Sequence, residues 1–176
     1  MSKSPGKGSG SGSAGKGPNR RVPARASKVG KAVSKVNGKG LKSLDFDFIS
    51  DYSRMREVQE QIIAAVVANG FAEDDLFAIK LCVEEALINA IKHGNKLDLS
   101  KHVHVRGSVS PARFEITIRD EGAGFERGEV PDPTDPSNWE KPSGRGLLLM
   151  ESYMTQTKYS DHGRQILMVK EKSKSA

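Results

Sequence analysis

The first 42 residues carry eleven lysines and arginines, no acidic residue and scarcely any large apolar side chain. A stretch made of Gly, Ser, Lys, Arg, Pro and Ala cannot bury enough surface to offset the entropy of ordering it, so it reads as a disordered basic tail. Whatever this chain folds into is therefore built from residues 43–176. Setting the tail aside also inverts the charge. The chain has 28 basic and 22 acidic residues; without the tail's eleven, 17 basic face 22 acidic, and a formal +6 becomes about −5. The body is thus a mildly acidic domain of ordinary size. Cys82 is the only cysteine, which rules out an intrachain disulfide, and its apolar helical setting suits a small buried hydrophobe. No apolar run approaches the length of a membrane span, and the basic N-terminus has no signal-peptide core. A reducing cytoplasm is the expected location.

The body opens at Leu44–Ile49 with the apolar–polar alternation of a half-buried strand. Met55, Val58, Ile62, Ala65 and Val66 then recur at helical spacing and predict a helix over 53–69 that ends near Asn69-Gly70. A second helix starts around Glu73-Asp74-Asp75, acids suited to a helix N-terminus, and runs to His93-Gly94-Asn95. Strands follow at 102–109 and 113–119, parted by Ser110-Pro111. After Asp120-Glu121-Gly122-Ala123-Gly124, residues 126–143 form a Pro-, Asp- and Gly-rich loop. Gly144-Arg145-Gly146 opens an apolar helix to about 155, and strands near 157–160 and 165–170 complete the order. Strand, two helices, two strands, loop, helix and two strands make an α+β two-layer sandwich. The sheet is mixed and mostly antiparallel, with the helices on one face.

The second helix carries a polar stripe. At about 100° per residue, Asn89, Lys92 and Lys96 fall within about 40° of Glu85, while Ile79, Cys82, Val83, Ala86, Leu87, Ala90 and Ile91 fill a separate apolar arc. Glu84 points about 100° away from Glu85, so the two acids cannot serve one site. Most such stripes are plain solvated faces. A carboxylate and a carboxamide one turn apart also offer a base beside a hard oxygen ligand, and magnesium takes few protein ligands. The helix alone leaves both readings open.

Two glycine segments add weight. Asp120 at a strand end, followed by Gly122 and Gly124, is either an ordinary turn or a place where backbone and a carboxylate meet a flat base. Gly144-Arg145-Gly146 before an apolar helix is either a helix start capped by Ser143 or an anion site. The glycine spacing fits neither a Walker loop nor a dinucleotide fingerprint.

Taken in order, Glu85–Asn89 on a helix, Asp120-x-Gly122-x-Gly124 after a strand and Gly144-x-Gly146 before a helix resemble the three boxes of the gyrase/histidine-kinase (GHKL) ATPase superfamily. The likeness covers about residues 44–170. The wording Glu85-Ala86-Leu87-Ile88-Asn89-Ala90-Ile91-Lys92-His93-Gly94 and Gly146-Leu147-Leu148-Leu149-Met150 is similar to the bacterial anti-sigma-factor serine/threonine kinases. The resemblance implies a Bergerat-type ATP-binding fold over 43–176, ATP and Mg²⁺ as cofactors, and phosphorylation of an anti-anti-sigma protein in competition with a sigma factor. It implies Asn89 as the metal ligand and Glu85 as the catalytic base. Asp120 would meet the adenine amino group, with Gly122 and Gly124 shaping the base pocket. Gly144, Arg145 and Gly146 would meet the phosphates, Lys92 and His93 would line the phosphate side, and 126–143 would form a lid. It also implies a homodimer.

Two features depart from that pattern. The last box often carries Gly-Thr, where this chain has Gly163-Arg164-Gln165, and the basic tail has no counterpart. No phospho-accepting histidine helix precedes the domain, and the four histidines lack metal-ligand spacing. Two rivals stand beside the kinase: an ATP-binding sequestering module without turnover, and a nucleic-acid-associated regulator bound through its tail.

Overall fold

The structure is a computed structural model that describes residues 36–37, 41–124 and 145–173. In chain order the elements are β1 (Val36–Asn37), β2 (Leu41–Ile49), α1 (Tyr52–Ala68), α2 (Glu73–Ile88), a π-helical turn (Asn89–Gly94), β3 (His102–Val109), β4 (Arg113–Arg119), α3 (Arg145–Tyr153), β5 (Gln156–Ser160) and β6 (Gln165–Glu171). The strands form one six-stranded sheet in the order β1-β2-β3-β4-β6-β5. Every described pairing is antiparallel, so the sheet is not mixed there. It also reaches further back than composition indicates. Leu41 and Lys42 belong to β2, and Val36–Asn37 pair with them.

Alternation puts the core on one face. Leu44, Phe46 and Phe48 of β2, Val103, Val105 and Val109 of β3, and Phe114, Ile116 and Ile118 of β4 are all buried. They share one cluster with the apolar faces of α1 and α2, so the helices cover that face. Full burial of Ile62, Ile79 or Leu87 contributes about 1.5–3 kcal/mol each. The opposite face is charged: Asp47 pairs with both His102 and His104, and Arg106 lies 3.5 Å from Asp45.

Local chemistry fixes the helix starts. Asp51 caps α1, its carboxylate accepting from the Ser53 and Arg54 backbone N–H groups at 2.9 and 3.2 Å; such a cap contributes about 1 kcal/mol. In the acidic first turn of α2, Asp75 does something else. It is 1% exposed and accepts from the Ser173 backbone N–H and hydroxyl at 2.8 and 2.7 Å, with Lys170 Nζ 3.4 Å away. Burial works to raise its carboxyl, yet the Ser173 bonds and Lys170 hold it below its ordinary value. Asp75 thereby clasps the chain after β6 to α2.

Cys82 is fully buried and its thiol is pushed up to about 11, mainly by burial, so it is inert at neutral pH. No described helix is long and apolar enough to cross a membrane.

Candidate functional site

A cavity of about 290 Å³ opens between α2 with its π-helical turn, the ends of β4 and β6, and the start of α3. Ile118, Met150 and Ile166 give it apolar walls, and Glu85, Asn89, His93, Lys96, Asp120 and Arg164 bring polar groups to its lining.

Alternation along β4 turns Ile118 inward, and the strand ends one residue before Asp120. Asp120 is 7% exposed, its backbone N–H donating to Arg164 O at 3.0 Å and its Oδ1 accepting from the Gly122 N–H at 2.8 Å. Burial raises its carboxyl above the ordinary value, with the Gly122 N–H and Arg164 opposing. An acceptor buried beside apolar walls is suited to a flat ligand carrying an amino group.

Gly94 stands against this carboxylate. A Cβ on Gly94 would sit 2.3 Å from Asp120 Cγ, and one on Gly122 would sit 2.2 Å from Gly94 O. Gly124 takes a φ of +83°, a conformation that side chains disfavour, and lines the cavity.

At the other end Glu85 and Asn89 share the cavity, while Glu84 faces α1, where Gln59 Nε2 lies 3.4 Å from its carboxylate. A Cβ on Gly146 would meet Glu85 Oε1 at 2.0 Å, so the bare glycine makes room for this carboxylate at the start of α3.

Other expected residues fall differently. His93 lines the cavity, but Lys92 is exposed and does not, while Lys96 does. The cause is the wide π-helical turn from Asn89, which advances each residue by less than the regular helical angle, so the wheel drifts after Asn89. Lys96 and Leu97 then take left-handed φ values of 58° and 61°, ending the helix. His93 is held below its ordinary 6.5, first by burial and then by Lys92 and Lys96, which keeps the ring neutral at pH 7. Arg145 is exposed at the first residue of α3 and is absent from the lining; Gly144, Ser143 and the 126–143 loop lie outside the described residues.

Where the last box departs from Gly-Thr, Gly163 and Arg164 line the cavity. Arg164 Nε donates to Asp161 O at 3.1 Å, and its guanidinium pairs with the Asp161 carboxylate. Among the described residues, no three His, Cys, Asp or Glu side chains are grouped to hold a metal ion.

The Histidine kinase-like ATPase domain family matches residues 48–170. The chain is 38% identical over 104 residues to the anti-sigma F factor of Clostridium perfringens, covering 55% of this chain and 73% of that protein. It is 37% identical over 89 residues to the anti-sigma F factor of Halalkalibacterium halodurans, covering 48% and 60%. It is 32% identical over 99 residues to the serine-protein kinase RsbW of Bacillus subtilis, covering 53% and 62%. The chain thus spans between three fifths and three quarters of the length of these relatives. With Glu85, Asn89, Asp120, Gly124 and Gly146 around one cavity beside an antiparallel sheet, the chain belongs to the Histidine kinase-like ATPase domain family.

Proposed function

We propose that this protein binds ATP with Mg²⁺ and transfers a phosphoryl group to a serine or threonine of an anti-anti-sigma-type partner, with a sigma factor competing for the same protein. One observation carries the proposal. Asp120, an acceptor buried among apolar walls at the exit of β4, shares a cavity with Glu85 of α2 and Asn89 of the π-helical turn. The donor set fits the group: a base end at Asp120 and Gly124, and a polar end at Glu85, Asn89 and Lys96. The names of the relatives, anti-sigma F factor and serine-protein kinase, supply the partner class.

On this reading Asp120 accepts from the exocyclic amino group of the base and Gly124 lets the backbone approach its plane, while Gly122, packed against Gly94 O, shapes the pocket from behind. Asn89, whose carboxamide offers a hard oxygen beside Glu85 in the cavity lining, would hold Mg²⁺. Bound ATP·Mg²⁺ supplies the transferable group and most of the charge neutralisation. Glu85 orients or deprotonates the incoming hydroxyl. His93, kept neutral, can donate or accept without adding charge. Lys96 adds a cation to the polar end. Homodimerisation and a cytoplasmic location belong to the proposal through the family likeness.

The test is phosphotransfer from γ-labelled ATP to an anti-anti-sigma acceptor. Glu85→Gln should leave nucleotide affinity within a few-fold and cut transfer by roughly 10²–10⁴, the usual worth of a positioned general base. Glu84→Gln, on the α1 side, should change little. If the parent labels no acceptor but binds ATP, it is a sequestering module instead.

A further inference from the structure

Directly after the π-helical turn, Asn95 is buried to 0% exposure. Its Nδ2 donates to Ser50 Oγ at 2.7 Å and to His102 O at 2.8 Å, and its Oδ1 accepts from the Glu121 backbone N–H at 2.8 Å. Ser50 Oγ in turn donates to Lys101 O at 3.0 Å. One carboxamide therefore ties the exit of β2, the start of β3 and the exit of β4 to the end of the long helix.

The bond to Glu121 matters most, because Glu121 lies between Asp120 and Gly122. Those two residues meet Gly94, the neighbour of Asn95, at distances that leave no room for a side chain on either glycine. Gly94 and Asn95 on one side and residues 120–122 on the other form a dovetail whose gap holds the Asp120 carboxylate. On the far side the Asp120 N–H donates to Arg164 O at 3.0 Å. Asn95 does not itself line the cavity, but its carboxamide holds the residue that follows Asp120.

We propose that Asn95 is a positioning residue for base recognition: by gripping the Glu121 N–H it fixes the Asp120 carboxylate against Gly94. The proposal rests on the reading that Asp120 receives the amino group of the base. It concerns neither the metal nor the phosphoryl chemistry.

The test compares dissociation constants for ATP and ITP, which has a carbonyl in place of the amino group, alongside thermal midpoints. The parent should prefer ATP. Asn95→Leu keeps the branched outline but removes the acceptor and the donors, and should lose roughly tenfold of that preference, the equivalent of one well-placed hydrogen bond. Asn95→Asp loses the donor to His102 O and should melt lower. It keeps an oxygen for the Glu121 N–H, so the preference should return.

Ser50→Ala removes a different partner of Asn95 and should melt lower with its preference intact. A selectivity that merely followed the midpoints across these variants would overturn the proposal. So would an Asn95→Leu protein that discriminates like the parent. Should Asn95→Leu not fold, hydrogen exchange on the parent decides: the Glu121 amide should be protected before any nucleotide is added, and rapid exchange there overturns the proposal. A parent with no preference for ATP overturns the base-recognition reading and this proposal with it. A parent that prefers ATP beside an equally selective Asn95→Leu overturns this proposal alone.

Discussion

Gly146→Ala separates folding from chemistry in a single methyl group. Gly146 is the second residue of α3, and an added Cβ would lie 2.0 Å from Glu85 Oε1, 2.6 Å from Cδ and 2.7 Å from Cγ. Ordinary contact begins near 3.4 Å, so Oε1 must retreat by at least the difference of 1.4 Å. The obstacle is the free end of a flexible side chain, and the carboxylate can swing away at little cost. Alanine is the better helix former by up to about 1 kcal/mol in a helix interior, and by about half that at a first turn. The fold should therefore be unchanged or slightly stabilised, by on the order of 2 °C in thermal midpoint. Chemistry should suffer, because a displacement of about 1 Å in a reacting group can cost 10²-fold. Paired calorimetry and single-turnover phosphotransfer check both halves. A variant that transfers phosphate at the parent rate would refute the role given to the Glu85 position. A variant that melts several degrees lower would show that the carboxylate cannot move aside.

Asn89→Ala should abolish most of the magnesium enhancement of ATP binding, measured by calorimetry with and without Mg²⁺; equal enhancement in variant and parent counts against Asn89 as the ligand. Asp120→Asn should raise the midpoint of the nucleotide-free protein at neutral pH while weakening ATP binding at least tenfold, the loss of about one charged hydrogen bond. Its sign follows from linkage. The Asp120 carboxyl is raised above its ordinary 3.8, so the contribution it makes when protonated is lost as pH rises through the folded value. The midpoint gap between variant and parent should accordingly narrow as the pH is lowered towards 4, and a gap that widened would contradict the cause assigned. Removing residues 1–35 should leave midpoint and nucleotide affinity unchanged, whereas removing residues 1–40 also deletes β1 and should lower the midpoint measurably.

Strong periodicity is what sequence reading captured well. The alternation in β2, β3 and β4 and the 3.6-residue spacing in α1 each have a single solution, and Glu85, Asn89 and Asp120, singled out by residue type and spacing, line one cavity. Lys92 went astray because the wheel assumes a constant angle, and nothing in Asn89–Gly94 announces a wider turn. Val36–Asn37 was assigned to the tail because two residues with one valine carry no pattern; their pairing depends on a strand that composition places elsewhere. Arg164 was noted as a departure in the last box, but its place in the cavity follows from the β4–β6 register. Asn95 was passed over as the end of a helix, since its three partners come from positions as distant as Ser50 and Glu121.

The order of strands also bears on the route by which the molecule assembles. β3–β4 and β5–β6 are hairpins closed by a few residues, so they can form early at small loop-closure cost. The seam between β4 and β6 is different, because Arg119 meets Gln165 only after the intervening chain and α3 have been brought round. Contacts of that kind come slowly. The cavity straddles this seam, with Ile118 on β4 and Asp120 just past its end on one side, and Arg164 and Ile166 at the start of β6 on the other. A nucleotide bridging a junction that closes late would add contacts missing from the folding transition state. It would act as a brake on unfolding and leave the rate of folding nearly untouched.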